Sequence, residues 1–309
     1  PCASPHPNAH IFTWRHAHLD TYQQAGFPNT YFTPLASSTF RRYPKELTEA
    51  ERATYDAPLC FVGASCTRQI PQFRSMLMDD LGPYLAKYHP ELRADDTIHA
   101  LLQAQQHDFS SFVLPQLIAE HLPMFTDYVR QQGKTYDPSI VLGEIAAAEK
   151  RLTYLANLAQ FGLDVWGDAG WKRLEPYGVN YRGKAGHLVE LTTIYNAAQI
   201  HIDIGRIYQS DIVTMRVFDV LACGGFLLAE YSEGLADLFE LGHELVCYRT
   251  LDELIDCVNY YQRNPELARQ IAARGRARVE ADHTIAQRVH EMLLKTGCSL
   301  HSGRPILVG

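Results

Sequence analysis

The chain reads as an α/β protein built on a parallel sheet with helices on both faces, and three observations predict this. From Leu163 onward, short apolar runs of strand length alternate with helical segments of about ten residues, which implies right-handed crossovers between parallel strands. Leu59-Cys60-Phe61-Val62-Gly63 is a buried-strand run that opens into a small-residue loop, Ala64-Ser65-Cys66-Thr67-Arg68. Between Asp211 and Glu230 an acidic residue, a loop, an amphipathic helix and an apolar strand follow one another.

In order along the chain, His10 to Trp14 is a strand, Arg15 to Ala25 a helix closing at Gly26, and Thr30 to Thr33 a second strand. This βαβ unit has too few neighbours to bury both faces of its sheet, and the first residue is proline. More protein is therefore expected upstream, with residues 1–57 the tail of a second, partial domain and its linker. Arg41 to Ala57 is polar and flanked by prolines, a linker with one helical turn. The main domain is expected over 58–297, and 298–309 as a tail. A helical insertion of several helices is expected at about 76–161, its last long helix opened by the N-cap and N1 pair Asp137-Pro138. Strands follow at Leu163–Trp166, Val179–Arg182, Gln199–Ile204, from Phe226, and at Leu245–Tyr248. Helices are expected at His187–Ala197, Thr214–Ala222 and Leu235–Glu240, then three more from Leu251 to Lys295.

Composition narrows the function classes. Of 309 residues 46% are apolar and 20% charged, ordinary for a protein with a sizeable core. A net charge of −7 without any Lys/Arg-rich block argues against a nucleic-acid partner. No apolar run approaches the roughly 20 residues that span a bilayer. Seven cysteines with no C-x-x-C pair fit reduced thiols in the cytoplasm. The fourteen histidines show no H-E-x-x-H or paired Cys/His spacing, so no metal is expected. No G-x-G-x-x-G follows a strand, which disfavours an NAD-dependent oxidoreductase.

The candidate site lies at the start of the helix from Thr214. A helix beginning beside the end of a parallel strand offers free N–H groups and a positive dipole end, which suits a diphosphate. Arg216 would add a forked cationic donor, and Asp219, a turn later, would accept from ribose hydroxyls. Each residue also has a plain structural reading: Arg216 as a helix-surface residue paired with Asp219 or Asp211, Asp219 as an acid in a first helical turn, Gly63 as a turn residue, Tyr181 as core or cleft wall. Trp166 and Trp171 read as packing residues, and His283 as a cap or core histidine.

The run from Trp166-Gly167-Asp168 through Arg216-Val217-Phe218-Asp219-Val220-Leu221-Ala222-Cys223-Gly224-Gly225-Phe226 to Leu238-Phe239-Glu240, Gly242-His243-Glu244, Asn264-Pro265-Glu266 and His283-Thr284 resembles the CgeB-like glycosyltransferases. The match is dense over about 160–295. It implies a GT-B-like Rossmann domain that binds a nucleotide sugar, with a helical insertion and a partial second Rossmann-like domain at the N-terminus. By the same resemblance, Asp211 and Asp219 stand where related enzymes carry an E-x7-E pair, both shortened by one methylene. Asp219 would bind the donor ribose and Asp211 face the sugar. Gly63, Ser65, Arg68 and Thr214 would lie near the donor phosphates, and Tyr181 against the base.

The implied activity is metal-independent glycosyl transfer from a UDP-, GDP- or TDP-sugar to an unknown acceptor, with Arg216 and Asp211 at the reacting centre and no cofactor. A nucleotide-sugar-binding or scaffolding protein without turnover, and a GT-B-fold sugar epimerase, are the alternatives. Base, sugar, acceptor, stereochemistry and oligomeric state are written in no residue of the chain.

Overall fold

The computed structural model describes residues 8–297; the tail expected at 298–309 lies outside them. The main sheet has six strands, all parallel: β3 (Leu59–Val62), β4 (Leu163–Trp166), β5 (Asn180–Gly183), β6 (Ile200–Asp203), β7 (Leu227–Glu230) and β8 (Val246–Tyr248). Their order across the sheet is β5-β4-β3-β6-β7-β8. The chain therefore builds outward from β3 in one direction, then crosses back to β6 and builds outward in the other. That reversal leaves a crevice beyond the carboxyl ends of β3 and β6.

Burial on both faces explains why these strands read as continuous apolar runs. One face carries Leu59, Phe61, Val165, Ile202 and Leu228. The other carries Cys60, Leu227 and Ala229. The first is covered by α7 (Pro138–Asn157), α11 (Leu251–Arg263) and α12 (Pro265–Asp282), the second by α8 (Val189–Ala197), α9 (Met215–Ala222) and α10 (Glu233–Leu238). Trp171 and Trp166 are packing residues, 0% and 6% exposed.

The insertion between β3 and β4 is helical as expected but opens six residues before Met76. It comprises α3 (Ile70–Tyr88), α4 (Ala94–Gln106), α5 (Leu114–His121), α6 (Phe125–Gln131) and α7. Leu77, Leu81, Leu102, Ile118, Phe125 and Ile145 give it a core of its own. Asp137 caps α7 through the N–H of Ser139 at 2.8 Å, with Pro138 in the first turn.

At the N-terminus β1 (His10–Thr13), α1 (Leu19–Gln24) and β2 (Asn29–Phe32) form the βαβ unit, a separate two-stranded parallel sheet. A 3-10 turn at His16–His18 takes up the start of the helix expected from Arg15. The segment after it is more ordered than a linker: α2 (Glu49–Tyr55) makes two turns because Thr48 and Glu51 form a capping box. The last helix, α13 (Ile285–Lys295), returns to this N-terminal unit. Ser37 exchanges backbone bonds of 3.0 Å with His283 and Ile285, and Arg288 Nε donates to Pro34 O at 3.1 Å. His283 is a core histidine, 5% exposed, with ring centroids 5.5 Å from Phe218 and 5.0 Å from Phe239. Among the described residues no helix is long and apolar enough to cross a membrane.

Candidate functional site

The crevice is floored by the loop after β3. Gly63 donates its N–H to Trp166 O at 2.9 Å and accepts from Trp171 Nε1 at 2.8 Å, so β4 and the segment after it pin the turn. A Cβ on Gly63 would stand 2.5 Å from Arg216 Nη2 and 3.0 Å from the Phe61 ring; the glycine is what lets the arginine lie there. Ser65 is fully buried and turned inward: its N–H and Oγ both donate to Asp168, each at 2.6 Å. Asp168 also accepts from Gly170 N at 2.9 Å, capping the 3-10 helix Ala169–Tyr177. Burial by itself would raise the Asp168 carboxyl, but the Ser65 and backbone hydrogen bonds hold it below its ordinary value. Arg68 is exposed on the rim, with no partner among the described residues.

Above this floor α9 begins. Thr214, its N-cap residue, sends its hydroxyl to Asp203 Oδ1 at 2.8 Å and makes no side-chain cap. Val217 N donates to Thr214 O at 3.1 Å, which leaves the N–H groups of Met215 and Arg216 as the open ones of the first turn. Arg216 donates through Nε to Val62 O at 2.7 Å, ion-pairs with Asp203 through Nη1, and lies 4.7 Å over the Phe61 ring. It thus ties α9 to the ends of β3 and β6, and the charge expected for a ligand is matched by Asp203. The plain reading of Arg216 takes Asp219 or Asp211 as its partner; the structure corrects this to Asp203, because Asp219 is held by Arg42 and Asp211 by Arg15.

The two aspartates at E-x7-E spacing both reach the N-terminal unit. Asp219 is buried, accepting from Ser37 Oγ at 2.7 Å and from Arg42 Nε at 3.1 Å. Asp211 accepts from Arg15 Nη2 at 2.8 Å and Nε at 3.3 Å. Burial pushes the Asp211 carboxyl up, and the Arg15 bonds outweigh it and hold it low. Tyr181 is half-buried on β5, its hydroxyl on Gly167 O at 3.3 Å, packed against the core face.

Several residues of this end of the sheet were not singled out from sequence. Buried Lys150 of α7 ion-pairs with Glu230 at the end of β7, and Glu230 Oε2 accepts from Gly205 N at 3.0 Å, fixing the loop after β6. Burial lowers the Lys150 ammonium and raises the Glu230 carboxyl, each opposed by the partner's charge. Arg206 pairs with Glu144 at 3.0 Å. Lys150, Asp203, Gly205, Arg206, Glu230 and Ser232 line a cavity of about 60 Å³. A larger groove of about 740 Å³ lies at the opposite end of the sheet, beside Ile200 and Phe226. Among the described residues no three His, Cys, Asp or Glu side chains gather as a metal site.

Residues 146–294 match a family model described as glycosyl transferase-like. Comparison with curated proteins finds no match. Among solved structures the chain is similar to sucrose-phosphate synthase from Thermosynechococcus elongatus, with 13% identity and a TM-score of 0.50 over 90% of this chain and 54% of that one. It is also similar to Anabaena HepE in complex with UDP-glucose, with 10% identity and a TM-score of 0.50 over 93% of this chain and 63% of that one. The chain thus spans less than two thirds of either structure, and at these identities the likeness is one of fold. That fold is the α/β architecture of GT-B glycosyltransferases, a parallel six-stranded sheet flanked by helices, with glycosyl transferase-like sequence over 146–294.

Proposed function

We propose that this protein binds a nucleoside diphosphate sugar in the crevice between β3 and β6 and transfers the sugar to an acceptor, without a metal ion. The observation that carries this reading is a convergence. The uncapped start of α9, the loop from Gly63 to Arg68 and the reversal of strand order meet at one place in a GT-B-like fold. The similar HepE structure holds UDP-glucose, which supports a nucleotide sugar as the ligand class.

In the reaction the acceptor nucleophile forms a bond to the anomeric carbon and gives up its proton to solvent or a base. The bond from that carbon to the diphosphate oxygen breaks, and negative charge grows on the departing diphosphate. Fixed N–H dipoles at the start of α9 stabilise that charge more in the transition state than in the ground state. Arg216 holds the ends of β3 and β6 in register beneath it, and Arg68 reaches the outer phosphate from the rim. Thr214 keeps the helix start open by spending its hydroxyl on Asp203.

One observation favours a second reading, a nucleotide-sugar-binding protein without turnover. Both Asp211 and Asp219, the acidic pair implied by resemblance, are engaged by arginines, Arg15 of the N-terminal unit and Arg42 of the segment that follows it. Thermal unfolding against UDP, GDP, ADP, TDP and NAD separates these from other functions. A ligand at about 100 times its dissociation constant adds roughly 2.7 kcal/mol of stability. Stabilisation by one nucleoside diphosphate is expected, and none with any of them rejects the donor site. Release of free sugar or diphosphate from the matching nucleotide sugar then distinguishes the transferase from the binding protein.

A further inference from the structure

The charges at the carboxyl end of the sheet are almost all paired. Arg15 has Asp211 at 2.8 Å, Arg206 has Glu144 at 3.0 Å, Arg216 has Asp203 and Lys150 has Glu230. Arg68 on the exposed rim and Arg151, one residue along α7 from Lys150, are the exceptions, and of the two only Arg151 is buried. It is 7% exposed, and among the described residues it has no carboxylate partner. Its Nη1 donates to Ala64 O at 3.1 Å and lies 2.9 Å from Cys66 Sγ, and its Nη2 donates to Ile204 O at 3.1 Å. Its Nε is buried with no partner.

The position of this cation matters as much as its lack of a counter-ion. Ala64 lies just past the end of β3, and Ile204 is the first residue past the end of β6, so the guanidinium bridges the two loops that form the crevice. Two carbonyl oxygens and the Cys66 sulfur solvate it in part, and Asp203, which pairs with Arg216, attracts it only from beyond ion-pair distance. A buried charge left unpaired costs several kcal/mol, and its field is screened far less than that of a surface arginine.

We propose that Arg151, delivered by the helical insertion, is the fixed positive charge that binds the donor diphosphate, acting from beneath the loop Ala64–Thr67 while Arg216 is neutralised by Asp203. This rests on the donor-site reading above. It gives the insertion a role in the site: α7 carries the counter-charge that the parallel sheet itself does not supply.

The test compares the affinity of the folded protein for UDP, GDP, ADP and TDP with that for the corresponding free nucleosides, in wild type and in Arg151→Gln, Cys66→Asp and Cys66→Asn. Cys66 has φ +61, a conformation that Asp and Asn tolerate, so Cys66→Asp places a carboxylate against Arg151 without removing it. Arg151→Gln and Cys66→Asp are each expected to weaken diphosphate binding at least about tenfold, the range for a charge-assisted contact, while nucleoside affinity stays within about twofold. Cys66→Asn is expected to lose less than Cys66→Asp, and Cys66→Asp to melt no lower than wild type. If Arg151→Gln fails to fold, Cys66→Asp decides. Diphosphate affinity unchanged in folded Cys66→Asp, or an equal loss for diphosphate and nucleoside, overturns the role of Arg151. A wild-type protein that binds none of the diphosphates overturns the donor-site reading and this inference with it.

Discussion

Asp219 of α9 and Arg42 of the N-terminal segment form a buried ion pair, Nε to Oδ2 3.1 Å, between residues 177 positions apart. Arg42 spends its remaining donors on His187 O, Leu188 O and Thr192 Oγ1, and Ser37 takes the other oxygen of Asp219. The carboxylate that resemblance assigns to the donor ribose is therefore also the clamp between α9 and the segment leading from the N-terminal unit. Asp219→Asn leaves Arg42 buried without its counter-charge, and a loss of about 3 to 5 kcal/mol in urea unfolding is expected. Unchanged stability together with lost nucleoside affinity would reject the clamp in favour of the ribose role.

Gly63 and Arg216 are coupled by space. Gly63→Ala puts a methyl 2.5 Å from Nη2 of an arginine that Phe61 and Asp203 hold in place. A loss of about 1 to 3 kcal/mol is expected from the forced displacement. With Asp203 6% exposed in its side chain, Arg216→Ala strands a buried carboxylate and is expected to cost about 3 to 5 kcal/mol. If the Gly63→Ala and Arg216→Ala losses add fully in the double variant, the coupling is absent.

The Lys150–Glu230 pair gives a third expectation. Lys150→Met strands the Glu230 carboxylate, whereas Lys150→Met with Glu230→Leu removes both charges from a buried place. The double variant is expected to recover most of the stability lost by the single one. Because Glu230 also holds Gly205 N, it is expected to loosen the loop after β6, read as faster amide exchange at residues 205–213. Equal stability of the two variants would reject the pair as a buried charge couple.

His201 sets a pH dependence. It is fully buried on β6 beside Tyr195, with a ring nitrogen 3.1 Å from Tyr195 O, and burial lowers it from 6.5 to about 4. The unfolded chain then binds more protons between those values. The contribution of His201 to stability is expected to be fully present above about pH 6.5 and to be lost toward pH 4, by on the order of 3 kcal/mol. Burial lowers His283 also, and it acts in the same direction. The lowered carboxyls of Asp168 and Asp211 act in the same direction from the ordinary carboxylate range downward, and Glu230, which burial holds above its ordinary value, acts against them. His201→Gln is expected to flatten the slope of urea-unfolding stability between pH 6.5 and 4; an unchanged slope would exclude His201 as its source.

What the amino-acid order determined by itself is the alternation of elements. Leu163–Trp166 was placed to the residue, Thr214–Ala222 to within one, and the cap at Asp137-Pro138 as found, because burial on two sheet faces, helical period and capping are properties of neighbours along the chain. The polar segment before β3 was read as too loose, since a two-turn helix held by a capping box leaves only a short local trace. Only the tertiary structure decided the order of the strands and the partner of each charge. Arg216 found Asp203, Asp219 found Arg42, Asp211 found Arg15, and Lys150 and Arg151 of the insertion came to lie under the crevice. Those pairings follow from how crossovers stack helices on the sheet and bring together residues up to 196 positions apart, and no period in the sequence records them.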